Sequence, residues 1–318
     1  VRRFTSSAQS IPDPHFAMEE KTMPMQSMKN MLKRALNGGY AVGYFEPWDQ
    51  YSMEAVIHAA EKKHSPVIIG CGCVMMNQDW FNTGGMEALA KTALVVARRA
   101  KVPTALILNE ALSFEQISWG IEYGFNAVML DTSDLPFEEN ARITRNVVEL
   151  AHSKGVDVEA ELGHLPFGGG GSGDSRAELT DPDAAAEFIK RTGADALSVS
   201  IGNVHVLLEG KAQVDLELLS RIHEKVNVPL VIHGATGFPD DAVPGVIELG
   251  VAKFNVGTVL KKAFWSGINE AVRVTAESEN PQNVIGSRKS VDLIAHACER
   301  VREEVERFIE LYMKNRTN

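Results

Sequence analysis

The chain has 318 residues, 44% hydrophobic and 23% charged, with a formal net charge of −10. That is apolar enough for a large core, which excludes disorder, and no run reaches the roughly 18 apolar residues of a membrane-spanning helix. The acidic balance speaks against nucleic acid and acidic membranes as partners, and the three cysteines Cys71, Cys73 and Cys298 match neither a disulfide framework nor a CxxC site, which points to reducing, cytoplasmic surroundings.

Residues 1–12 carry two arginines, four hydroxyl residues and no acid, a composition shared with transit peptides, and lack the apolar stretch of a secretory signal. Residues 1–25 read as an N-terminal arm outside the core, and residues 26–318 as one domain. From residue 39 onward, short apolar runs alternate with stretches of helical periodicity. The runs are GYAVGYF (39–45), PVIIGC (66–71), PTALIL (103–108), NAVML (126–130), VDVEAEL (156–162), DALSVS (195–200), PLVIH (229–233) and VAKFNV (251–256). Among the amphipathic stretches between them are 53–63, 86–101, 140–155 and 182–193. Eight nearly continuous apolar strands, each followed by a helix, predict parallel strands covered on the outside: an α/β fold closed into a (β/α)8 TIM barrel. An open doubly wound sheet is the alternative. It would carry a Gly-rich turn after its first strand, where this chain has EPWDQ.

In such a barrel the chemistry lies at the C-terminal ends of the strands. Glu46 ends the first run, Asn109 and Glu110 follow the third, Asp131 follows the fourth and Glu161 lies in the fifth; His205 comes after the sixth, His233 ends the seventh and Asn255 lies in the eighth. A lone histidine at a strand end ordinarily satisfies a backbone carbonyl. His205, His233 and Glu161 converging on one rim instead suit a divalent cation, zinc first, with manganese or cobalt as alternatives. Glu46 and Asp131 are balanced between direct ligation and support of the ligands.

HGATGF (233–238) and NVGT (255–258) place Gly-rich turns after the seventh and eighth strands, the usual barrel position for phosphate. FGGGGSGD (167–174), five of its eight residues glycine, reads as a mobile loop able to close over a substrate. Residues 290–315 form a long amphipathic helix predicted to pack on its own barrel, and Arg288 before it is a candidate phosphate contact.

The stretches GYAVGYFE, GFNAVMLDTSDLPFEENARIT, GVDVEAELG, SIGNVH, VPLVIHGATG and GVAKFNVGT follow one another in an order and spacing that resembles the class II, metal-dependent fructose-bisphosphate and tagatose-bisphosphate aldolases. The resemblance implies a TIM barrel in which a zinc ion polarises the carbonyl of a ketose phosphate during cleavage of the adjacent C–C bond. It assigns His205 and His233 to zinc, Glu161 and Asp131 to the acidic surroundings of the metal, Gly234 and Thr236 to the phosphate turn, and Asn255 and Thr258 to substrate and phosphate. It also implies a homo-oligomer, a dimer or tetramer.

The departures from the family pattern are specific. Where the family reads HxDH after the third strand, this chain has Ile107-Leu108-Asn109-Glu110, so the catalytic Asp is Asn109 and a zinc histidine is Glu110. Glu110 can still ligate, as a harder oxygen donor. The loop carboxylate of the family has Asp174 as its one obvious substitute, the Gly after the strand 6 histidine is Val206, and the Asp of NVDT is Gly257. These changes lead to the expectation of a metal-dependent lyase acting on a ketose phosphate or keto sugar acid other than ordinary fructose bisphosphate. Asn109, Asp174 and Glu46 are its candidate catalytic residues, and Glu110, His205, His233, Glu161 and Asp131 its candidate metal residues. The alternatives are an isomerase, epimerase or decarboxylase on a related sugar, and an inactive sugar-phosphate-binding barrel.

Overall fold

The computed structural model describes residues 25–166, 168, 178–207, 209–275, 280–314 and 316. Asp174 and nearly all of the 1–25 arm therefore lie outside the described residues. In chain order the elements are α1 (Met28–Asn37), β1 (Val42–Phe45), α2 (Gln50–Lys62), β2 (Val67–Gly72), α3 (Gln78–Trp80), α4 (Met86–Arg99), β3 (Thr104–Ala111), α5 (Phe114–Tyr123), β4 (Ala127–Leu130), α6 (Phe137–Ser153) and β5 (Asp157–Leu162). They continue as α7 (Pro182–Thr192), β6 (Ala196–Val199), α8 (Leu216–Lys225), β7 (Leu230–Ile232), α9 (Val243–Glu248), β8 (Val251–Val256), α10 (Thr258–Val274), α11 (Pro281–Val284) and α12 (Leu293–Tyr312). All neighbouring strands pair in parallel, and β8 pairs back to β1 through Val42–Lys253 and Tyr44–Asn255, closing the barrel.

Two apolar shells follow from the period-2 alternation of the strands. Outward residues such as Phe45, Ile69, Leu106, Val158 and Phe254 pack under the helices, while Val42, Tyr44, Ile68, Ala105, Ile107, Ala127, Met129 and Val231 fill the interior. The N-terminal end of that interior is sealed by α1, whose Met28, Met31, Leu32 and Ala35 are buried against it. Ser27 caps α1 through the Asn30 amide and donates to Asp157 at the start of β5 (2.7 Å), so the plug is tied to the barrel wall. The last helix, α12, begins at the Asp292 cap and buries Ala297, Val301, Val305, Phe308 and Tyr312; it packs on α10 and α2, and Tyr312 stacks on Phe254.

Arg288 does not reach the barrel mouth as expected. Its guanidinium pairs with Glu54 and lies over the Tyr51 ring, 4.0 Å from its centroid, which holds the segment before α12 against α2. Among the described residues no helix is long and apolar enough to cross a membrane.

Candidate active site

The residues at the C-terminal ends of the strands enclose one cavity. Its walls include Glu46, Asn109, Glu110, Asp131, Glu161, His205, Gly234, Thr236, Asn255, Gly257 and Thr258; of the other described residues expected there, His233 lies fully buried behind the wall and Arg288 is held elsewhere by Glu54.

Consecutive strand residues ordinarily point to opposite faces. Asn109 and Glu110 both line the cavity because the β3–β4 register slips between Leu108 and Ala111, and Glu110 takes a left-handed backbone with φ of 53°. For a non-glycine residue that conformation costs on the order of 1 kcal/mol, and it turns the carboxylate toward His233. His205 sits on the connection after β6, where its backbone is laced to the β5–α7 connection by His205 N–H to the Pro166 carbonyl (2.9 Å) and Gly168 N–H to the His205 carbonyl (2.7 Å). Buried Asn203 joins the same connection to β7 by donating to the His233 carbonyl at 2.9 Å. Gly234 is required beside it: with φ of 70°, a Cβ there would stand 2.2 Å from the Val204 carbonyl oxygen.

Glu110, His205 and His233 each bring one ligand atom within 4.8 Å of the others. His233 Nε2 is 2.9 Å from Glu159 Oε1, whereas its Nδ1 is buried with no hydrogen-bond partner, 3.2 Å from both Glu110 Oε1 and Glu161 Oε2. Two tetrahedral ligands held about 2.0–2.1 Å from a zinc ion lie about 3.3–3.4 Å apart, so an orphaned imidazole nitrogen between two carboxylate oxygens fits a divalent cation. Glu161 adjoins this cluster and accepts from Ser198 Oγ (2.9 Å), while Asp131 lines the cavity and accepts from Ser133 Oγ (2.8 Å) without joining the cluster.

The electrostatics agree with a cation centre. Burial pushes the His205 imidazole below its ordinary value, which favours the neutral form that a metal ligand requires. Burial works against charge on His233 as well, but the carboxylates of Glu110, Glu159 and Glu161 outweigh it and raise the group to about 10. A proton on His233 thus holds these carboxylates together, the place a metal charge would take. Burial, with Asp131 and Glu110 nearby, lifts Glu161 to about 7.

Beneath the cluster lies a layer whose role sequence reasoning missed. Lys253 is fully buried and pairs with Glu159 (2.8 Å), and its ammonium also donates to Asn255 Oδ1 at 2.6 Å; Asn255 in turn donates to Asn109 Oδ1 at 3.3 Å. Glu159 therefore fixes the His233 ring with Nδ1 facing the mouth, as the outer partner of a metal histidine does. The signal was present in the alternation: Glu159 shares the inward parity of Glu161, and Lys253 that of Asn255. His164 was missed too. It lines the cavity with Nδ1 at 3.3 Å from Asp134, and its Nε2 is buried without a partner.

At the opposite side of the mouth, Thr236 Oγ1 accepts from the Val259 amide (3.2 Å), joining the β7 turn to the first turn of α10. This is the position predicted for an anion.

The family profile described as "Fructose-bisphosphate aldolase class-II" matches residues 26–316. A fructose-bisphosphate aldolase of Geobacillus stearothermophilus is 37% identical over 269 residues, covering 83% of this chain and 91% of that protein. The crystal structure of the YdjI aldolase from Escherichia coli K12 superposes with a TM-score of 0.75 at 32% identity, covering 91% of this chain and 97% of that one. A putative fructose-1,6-bisphosphate aldolase from Coccidioides immitis gives a TM-score of 0.76 at 30% identity, covering 90% and 96%. With the closed eight-stranded barrel and the His/Glu cluster at its mouth, these similarities establish that the chain belongs to the class II fructose-bisphosphate aldolase family, whose members are lyases of the aldolase type.

Proposed function

We propose that the protein is a metal-dependent aldolase that reversibly cleaves a ketose phosphate or keto sugar acid other than ordinary fructose bisphosphate. The observation that carries this reading is the orphaned Nδ1 of His233, set between Glu110 and Glu161 with its other nitrogen engaged by Glu159. Glu110, His205 and His233 would hold the ion, zinc first with manganese or cobalt as alternatives, with Glu161 beside it. When bound, such an ion supplies Lewis-acid polarisation of a substrate carbonyl.

The remaining chemistry belongs to the side chains. Asn109, oriented by Asn255, holds a substrate hydroxyl by hydrogen bonding but cannot exchange its proton. That task passes to Glu46, whose proton affinity is raised by burial, partly offset by Lys261, the direction that strengthens a carboxylate as a general base. Gly234, Thr236, Gly257 and Thr258 cradle an anionic group of the substrate. Residues 26–318 are read as one catalytic domain, and the family resemblance supports a cytoplasmic homo-oligomer.

The test is release of a triose or other aldehyde from a panel of ketose phosphates and keto sugar acids, with and without chelator. Turnover abolished by chelator and restored by zinc or manganese is expected; no cleavage of any member by the metal-loaded protein overturns the reading. The replacement of Asp by Asn109 favours a second reading, isomerisation or epimerisation, which deuterium exchange beside the carbonyl without cleavage would reveal.

A further inference from the structure

Glu46 occupies a niche that two glycines leave open. A Cβ on Gly72, at the end of β2, would lie 2.6 Å from the Glu46 carboxyl carbon, and one on Gly257, which precedes α10, would lie 2.8 Å from its Oε2. Any side chain at either position would evict the carboxylate. Within the niche the Glu46 carboxylate has one hydrogen-bonded partner among the described residues, the ammonium of Lys261, which donates to Oε1 at a long 3.3 Å. The partners differ in exposure: the Lys261 side chain is 40% exposed and Glu46 only 14%. Lys261 lies one turn into α10, on a flexible stem beside the Thr236–Val259 contact that marks the anion cradle. Apart from histidines it is the one cationic residue among the described residues lining the cavity.

We propose that Lys261 is a transferable anion anchor: it rests on Glu46 while the cradle is empty and moves to the anionic group of the substrate when the cradle fills, which leaves Glu46 free to accept a proton. The inference rests on the reading of the β7 and β8 turns as the substrate's anion site. The groups facing Glu46 make the exchange consequential. Burial, the largest influence, and Glu110 from β3 oppose its charge; Lys261 from α10 and His233 just after β7 favour it, and Cys71 on β2, Cys73 just after it and Tyr44 on β1 stand near it as neutral groups. Once the ammonium leaves, the balance shifts toward the protonated carboxyl. In the cleavage direction the hydroxyl proton of the substrate passes to Glu46 as the O–H electron pair becomes the carbonyl bond of the released aldehyde. The C–C pair stays with the other fragment, and the same proton can later return to it. A substrate without the anion would leave Glu46 paired and a poorer base.

Sulfate is the probe, because it does not itself titrate near neutral pH. Calorimetric titration of the protein as purified, in buffers of different ionisation enthalpy, reads both affinity and proton uptake. The wild-type protein should bind sulfate with net proton uptake that grows as pH falls toward the carboxyl range. Lys261→Met should weaken binding at least about tenfold while Lys261→Arg retains most of it, and Glu46→Gln should bind more tightly and without proton uptake, since the ammonium is released. Opposite affinity changes in the two variants are the signature. Absence of sulfate binding by the wild-type protein, equal affinity in Lys261→Met, or unchanged proton uptake in Glu46→Gln each overturns the proposal. None of these readouts needs turnover, so they separate this inference from the choice of reaction.

Discussion

The two ends of the barrel are built from the same strands on opposite principles. At the N-terminal end α1 drives Met28, Met31 and Leu32 into an interior of Val, Ile and Ala, and the polar groups at that rim are matched in pairs, Lys29 with Asp195 at 2.7 Å and Ser27 with Asp157. At the other end Glu46, Glu110, Asp131 and Glu161 crowd one cavity, Glu110 and Val206 hold left-handed backbones, and His233 Nδ1 lacks a partner. The floor is apolar packing with paired polar groups at its rim; the mouth departs from that pattern at the residues proposed to hold a cation and an anion. Between them the Lys253–Glu159 pair belongs to both, as buried structure and as the support of His233.

The contrast can be broken most sharply at His233. His233→Ala should lower the metal-dependent activity by about 10³-fold or more, since loss of Lewis-acid stabilisation worth several kcal/mol corresponds to tenfold per about 1.4 kcal/mol. Metal content should fall with it, measured on the same preparation. Glu159→Gln tests the shared layer: leaving the Lys253 charge unpaired should cost about 3–5 kcal/mol in chemical denaturation, and metal affinity should fall about 10- to 100-fold. Removing both charges, with Lys253→Met added, should recover stability but not metal affinity. On the floor, Leu32→Ala should destabilise by about 2–5 kcal/mol while metal content and kcat per folded molecule stay unchanged. A loss of metal in that variant would mean the two ends are not independent.

A further effect concerns pH. His233 is raised from 6.5 to about 10 without metal, so its proton stabilises the fold fully below about 6.5, and that contribution disappears as pH rises through about 10. Chelator-treated protein should therefore lose thermal stability over this window, whereas metal-loaded protein, in which the ion replaces the proton, should lose less.

How much of this the sequence carried depends on the kind of constraint. The eight strands were legible because barrel strands buried on both faces are nearly continuous apolar runs, and His233 and Glu161 because polar groups at such run ends have few other reasons to be there. The orientation of Glu110 was not legible, since it depends on a register slip and a positive φ that leave no residue signature. Glu159 and Lys253 were read as parts of strands although their shared inward parity marked them, and Arg288, judged by its charge alone, proved to serve α2 and Tyr51. The niche of Glu46 is a property of the space left by Gly72 and Gly257, two residues far apart in the chain and brought together only by closure of the barrel.

The central claim, that Glu110, His205 and His233 form a mixed imidazole and carboxylate metal centre, is tested most directly by X-ray absorption at the zinc edge of the zinc-loaded protein. The account predicts an inner shell of nitrogen and oxygen at about 2.0–2.1 Å with scattering from two imidazoles, reduced to one in His205→Ala. A shell containing sulfur, or one without imidazole, would contradict it.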